Sequence, residues 1–218
     1  MLKKVKQSKS EKILLIFLIF LTIFSFSSFY IIKNKCLFVK DVNLEKMSFI
    51  QPENISVMDI NCGKVIIELR PDISPNSVKR FKTLVENEEY DNVAFHRVIE
   101  GFLVQGGDLE FGKKNNLNYL FIGSGKSNYG FIKPEVDKPF DFKKGTVAFA
   151  KNKKGDMEDS EFFILLDDAP LFEGEYTPLG KVTHGLSAVE KIKHNDDSEF
   201  VLRPDFIISI RMLSSMSN

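Results

Sequence analysis

The first apolar feature of the chain has no periodicity. Ile13 to Ile32 is an uncharged run of 20 residues dominated by Ile, Leu and Phe. That is the length a helix needs to cross a hydrocarbon core. It is apolar on every face and preceded by lysines, which disfavours a buried core helix. A signal-peptide core is usually shorter and ends at small residues. Ser25, Ser27 and Ser28 imitate such a site, so the run is read as an uncleaved anchor, with a cleaved signal as the alternative. Past it, residues 33–54 are mixed and unpatterned and read as a stalk. Alternation then begins. Ser56 to Ile60 and Lys64 to Leu69 flank Asn61-Cys62-Gly63, which predicts a hairpin. Ser74-Pro75 reads as an N-cap followed by Pro at the first helical position. Val78, Phe81, Leu84 and Val85 follow at helical spacing, predicting an amphipathic helix to about Asn87. Short apolar runs come next at Val93 to Ile99, Phe102 to Gln105, Gly145 to Ala150, Glu161 to Leu166 and Leu179 to Val182. A second short helix fits Ser187 to Lys193. The pattern is mainly β with two helices, a barrel or a sandwich.

Charge adds a direction. The 30 basic and 30 acidic residues cancel, so nothing predicts a nucleic-acid partner. Lys3, Lys4, Lys6, Lys9 and Lys12 nevertheless crowd the N-terminus and outnumber Lys33, Lys35 and Lys40 beyond the run. The positive-inside rule then places the N-terminus in the cytoplasm and the remainder on the lumenal or extracellular side. Cleavage would instead make the domain secreted. Asn54-Ile55-Ser56 is a glycosylation sequon compatible with that side. Cys36 and Cys62 match no redox or zinc pattern and are read as free thiols, with one bridge between them as the alternative. The expected organisation is a basic tail over 1–12, a transmembrane segment over 13–32, the stalk, one domain over 55–214, and a tail over 215–218.

Most motif candidates fail on spacing. Gly123-Ser124-Gly125-Lys126-Ser127 lacks the earlier glycine of a phosphate-binding loop, since Leu120 stands there. His96, His184 and His194 have no metal-ligand spacing. Glu158-Asp159 and Asp167-Asp168 are read as solvated loop carboxylates. What remains is Phe95-His96-Arg97-Val98-Ile99, Gly101, Phe102-Leu103-Val104-Gln105 and Gly106-Gly107-Asp108. Read from the residues, these are two strands around a glycine turn. Arg97 and Gln105 interrupt them, either facing solvent by alternation or sharing a face with Phe102 or Leu103 in a small-ligand site.

This segment resembles the signature of the cyclophilin family. Gly125-Lys126-Ser127-x-Tyr129-Gly130 resembles its GKS-x-YG loop. Gly145 to Ala150, Ser160 to Ile164, Leu171 to Gly174 and Leu179 to Val182 resemble further motifs, in order, from about Val57 to Met212. The resemblance implies an eight-stranded antiparallel barrel capped by two helices, with the active face outside. It implies a peptidyl-prolyl cis-trans isomerase that takes proline-containing polypeptides and needs no cofactor. By the same resemblance Arg97 is the catalytic arginine. Phe102, Leu103, Phe163 and Phe172 line a proline pocket, and Gln105 binds substrate backbone. Ala150, Lys151 and Asn152 form the edge that holds the peptide main chain. The resemblance also places Glu161, Leu171 and Tyr176 among the substrate-binding residues, but these three positions depart from the family. Glu161 replaces a usual Gln and invites pairing with Arg97. Tyr176 replaces a usual His. Leu171 replaces a usual Trp, which implies weakened cyclosporin binding. Residues Leu109 to Ile122 are longer than usual, implying an inserted loop. The alternative function is a proline-peptide binding module with little catalysis.

Overall fold

The computed structural model describes residues 8–33, 35–152 and 154–216. Residues up to Phe38 form one unit and those from Val39 onward another. The first unit is helix α1, Lys9–Lys33. Its start is a reciprocal capping box. The Ser8 N–H donates to the Glu11 carboxylate at 2.8 Å, and the Glu11 N–H donates to the Ser8 hydroxyl at 3.2 Å. Within it, Lys9–Tyr30 has a mean hydropathy of 2.4, long and apolar enough to cross a membrane. Of the N-terminal lysines, Lys9 and Lys12 lie in its first turns, while Lys3, Lys4 and Lys6 lie outside the described residues.

The second unit is an eight-stranded antiparallel sheet curled into a barrel. Its strands are β1 Ile55–Ile60, β2 Gly63–Leu69, β3 Arg97–Ile99, β4 Leu103–Gly106, β5 Thr146–Lys151, β6 Glu158–Leu165, β7 Pro178–His184 and β8 Ile207–Met212. The spatial order is β3-β4-β6-β5-β7-β2-β1-β8. The two outermost strands do not form a ladder with each other. The seam between them is carried by flanking segments: Ala94 bridges Phe206, the Phe95 N–H reaches the Asp205 carbonyl at 2.9 Å, and the Ile207 N–H reaches the Val93 carbonyl at 2.8 Å. The run Val93 to Ile99 therefore yields only a three-residue strand, and β8, which periodicity did not single out, completes the sheet.

Helix α2, Pro75–Glu86, buries Val78, Phe81, Leu84 and Val85 as its spacing predicts. The Phe81 ring lies 5.4 Å from Tyr90 and 5.7 Å edge-on to Phe162. The Ser74 hydroxyl does not cap α2; it donates to the Pro178 carbonyl. The exposed N–H groups are instead met by Glu135, which accepts from Asn76 at 3.3 Å and Ser77 at 2.8 Å. A carboxylate there also complements the positive end of the helix. Helix α3 covers only Leu186–Val189 rather than running to Lys193. The Lys193 N–H is drawn to the Asp205 carboxylate at 2.8 Å, and the chain leaves the helical path.

Several further expectations change. The segment read as a stalk is partly laid on the barrel, with Val42, Leu44 and Phe49 packed against Ile55, Val57 and Ile66. Cys36 and Cys62 are both disulfide-bonded, not free thiols, because their spacing alone reports nothing about pairing. The sequon is folded away: Asn54 is buried, accepts from the Lys82 ammonium at 2.8 Å and donates to Gln51 at 3.0 Å. Glu158 and Asp159 are buried in β6 rather than solvated in a loop.

Asp108 fastens the inserted loop. Its Oδ1 accepts from Glu110 at 3.1 Å and Phe111 at 2.8 Å, and its Oδ2 from Gly123 at 2.7 Å and Gly125 at 3.1 Å. The insertion thus leaves and returns to one buried carboxylate. Gly125 has to be glycine, since a Cβ there would come within 2.0 Å of Asp108 Oδ1. Asp108→Ala would orphan four N–H groups and is expected to lower unfolding stability by about 3 kcal/mol, read from denaturant midpoints.

Candidate active site

Strand register assembles the site. Arg97 on β3 stands opposite Gln105 on β4, Gln105 opposite Phe163 on β6, and Phe163 opposite Ala148 on β5. Residues directly opposite one another share a face. Two positions along, Ile99, Leu103 and Leu165 form a parallel apolar row. Alternation on β6 separates this face from the interior. Phe162 points in, 5.3 Å from Tyr90, while Phe163 points out, 5.7 Å from Phe172 and 5.2 Å from Tyr176. The outer face is therefore a second apolar cluster, and it includes Leu103, Ala148, Ala150, Phe163 and Leu165.

Four aromatic rings shape that cluster. Phe102 lies 5.8 Å from Phe172, and Phe172 lies 4.7 Å from Tyr176. Phe102, Phe172 and Tyr176 remain partly exposed, so the cup is open to a ligand. Phe142 supports it from below, 6.3 Å from Phe172 and buried. No motif marked Phe142, and only its place beneath the cup reveals its part. Lys151 lies with its ammonium 5.4 Å from the Tyr176 ring centre and 3.5 Å from Glu175. Asn152 ends this edge; its backbone N–H donates to the Met157 carbonyl at 2.7 Å. A cavity of about 390 Å³ adjoins it, lined among others by Gly123, Lys126, Ala150, Asn152, Met157 and Glu161.

Arg97 is held from two sides. Its Nε donates to Glu199 Oε2 at 2.8 Å, and its Nη1 donates to Gln105 Oε1 at 3.2 Å. Glu161 does not pair with Arg97. It accepts from Gln105 Nε2 at 2.8 Å and lies 3.3 Å from the Nε2 of His96, a ring only 1% exposed. A carboxylate can only accept, so it orders the Gln105 amide with its oxygen toward Arg97. Gly107 makes room for that approach. Its φ is +95°, and a Cβ would lie 2.5 Å from the Ser160 carbonyl. Leu171 is 87% exposed, and the turn at Pro170–Phe172 directs Phe172 rather than Leu171 into the cup. Glu199, which no motif marked, is brought in by the loop before β8.

With this geometry in place, the comparisons are specific. The family model for "Cyclophilin type peptidyl-prolyl cis-trans isomerase/CLD" matches residues 55–212. The chain belongs to the cyclophilin family. It is a peptidyl-prolyl cis-trans isomerase. A "Probable peptidyl-prolyl cis-trans isomerase" of Brucella suis is 40% identical over 168 residues, covering 76% of this chain and 85% of that protein. A peptidyl-prolyl cis-trans isomerase of Helicobacter pylori is 33% identical, covering 75% and 91%. A crystal structure of a Cryptosporidium parvum cyclophilin in the presence of the dipeptide Ala-Pro superimposes with a TM-score of 0.62. It is 27% identical and covers 72% of this chain and 98% of that one.

The other loops around the cyclophilin site are tied down by β6 carboxylates. Asp159 accepts from the Ser127 N–H at 2.6 Å and pairs with Arg80 at 3.1 Å, fixing the GKS loop against α2. Glu158, one residue earlier, is buried in the same strand. Burial pushes its carboxyl up to about 7, outweighing the Thr177 hydroxyl and backbone and the Lys151 charge that favour ionisation. The folded state then holds this proton more tightly than the unfolded chain does. Its contribution is full below the unfolded value of 4.5 and is lost as pH rises through about 7. Glu158→Gln should remove up to about 3 kcal/mol of that pH dependence. Paired unfolding curves between acid and neutral pH will show whether the slope disappears.

Proposed function

We propose that Arg97 is the catalytic residue of this isomerase and that the aromatic cup of Phe102, Phe163, Phe172 and Tyr176, floored by Leu103, receives the proline ring. The single observation that carries this reading is the row Arg97–Gln105–Phe163–Ala148, which sets a guanidinium beside an open apolar cup. The barrier to X-Pro rotation comes from amide resonance and is about 18–20 kcal/mol. No bond is broken, so the chemistry calls for no nucleophile. As the amide twists, its nitrogen becomes pyramidal and more basic. A guanidinium, charged at every physiological pH, donates to that nitrogen or to the prolyl carbonyl. The cup excludes water and holds the ring while the rest of the peptide turns. Ala150, Lys151 and Asn152 supply the rim for the peptide main chain, and Gln105 reaches its backbone.

The same reading assigns the natural setting. The chain is anchored by α1 with its N-terminus in the cytoplasm, and the isomerase domain acts on proteins folding on the lumenal or extracellular side. The apolar helix and the lysine-rich start support this. Two disulfide-bonded cysteines fit an oxidising compartment. Sequencing the N-terminus of the mature protein tests the anchor: an intact start supports it, and a start near Ser28 overturns it. Leu171 offers no ring to the site, and cyclosporin binding is weak on this reading.

Arg97→Ala is expected to lower kcat/KM in a coupled proline-peptide assay on the order of 10²-fold while leaving the fold intact. Full activity in that variant would overturn the assigned role. A wild-type domain that binds proline peptides through Phe163 without accelerating isomerisation would instead identify a binding module.

A further inference from the structure

Arg97 stands on an edge strand, where a long side chain has many rotamers to choose from. Gln105 restrains it through one bond of 3.2 Å. The tighter restraint is Glu199. One carboxylate oxygen, Oε2, accepts from Arg97 Nε at 2.8 Å and lies 2.8 Å from Nη2. That occupies the side edge of the guanidinium, and Nη1 is left to reach Gln105, which stands opposite Phe163 in the row.

An ion pair with one partner 53% exposed is ordinarily weak, because ordering two long side chains offsets its Coulomb gain. This one differs in how Glu199 is mounted. The Val98 N–H donates to the Glu199 carbonyl at 2.7 Å, and the Val201 N–H donates to the His96 carbonyl at 2.9 Å. Phe200 bridges Arg97 in the backbone, and its carbonyl accepts from Asn195 Nδ2 at 2.9 Å. The loop is thus laid along β3 like an added strand, and the carboxylate arrives with most of its position already fixed.

From this we infer that Glu199 is a positioning residue for the isomerase reaction, selecting the guanidinium orientation that meets the twisted amide. The inference rests on the assignment of Arg97 as the catalytic residue. It separates reach from charge. Gln at position 199 keeps the reach and an accepting oxygen but loses the charge. Asp keeps the charge but is one methylene too short.

The experiment measures kcat and KM of the full chain carrying Glu199→Ala, Glu199→Asp or Glu199→Gln, on a short proline peptide. For Ala and Asp, kcat should fall about fivefold with KM nearly unchanged, the scale of an ion pair near the top of the exposed range. Gln should retain most of the activity, and thermal midpoints should stay level. In an Arg97→Ala background, Glu199→Ala should have no further effect. Unchanged kcat in Glu199→Ala, while Arg97→Ala is impaired, overturns the inference and leaves the role of Arg97 standing. A raised kcat also overturns it, since Glu199 would then compete with substrate for the arginine. Rescue by Asp rather than Gln overturns it in favour of a field effect. Full activity in Arg97→Ala alone removes the assignment beneath it.

Discussion

The pairing of β4 with β6 is the constraint on which the rest of the molecule depends. Gln105 opposite Phe163 and Gly106 opposite Phe162 decide, in one register, which residues enter the core and which build the site. A slip of one residue would send Phe163 inward and Phe162 out, exchanging the two clusters. The interior grips Phe162 with Phe81 and Tyr90 edge-on, and the outer face grips Phe163 with Phe172 and Tyr176. Both clusters favour the same register, so neither face is free to drift. The row Arg97–Gln105–Phe163–Ala148 is a by-product of that agreement, because Arg97 and Ala148 join it through the neighbouring ladders.

Several loops are then attached to this frame by carboxylates. Asp108 gathers four N–H groups from the inserted loop and the GKS loop. Asp159 binds the GKS loop to α2 through Ser127 and Arg80, and Glu135 covers the start of that helix. A buried carboxylate that accepts several backbone N–H bonds offsets its own desolvation and satisfies groups that would otherwise be orphaned. Glu158 lacks such a set, and its raised carboxyl value is the consequence.

Much of the fold was legible in local pattern. Alternation located the hairpin of β1 and β2, helical spacing located α2, and the ordered motifs located the barrel and Arg97. What escaped has a common cause. The length of α3 is set by Asp205 taking the Lys193 N–H, and the cap of α2 comes from Glu135, distant along the chain. Leu171 carries a motif position but faces solvent, whereas Phe142 carries none and supports the cup. Glu199 reaches Arg97 from 102 residues away. No periodicity encodes contacts of that kind.

The sequence by itself determined the apolar N-terminal helix, most of the strands, helix α2 and the family. These follow from periodicity, composition and short-range spacing, which act over a few residues. Only the tertiary structure decided how the site is wired: Glu161 addresses Gln105 and His96 instead of Arg97, and a loop carboxylate holds the arginine. A charged side chain can satisfy itself with any of several partners. The choice among them is made by which donors and acceptors the folded sheet and its loops bring within about 3 Å.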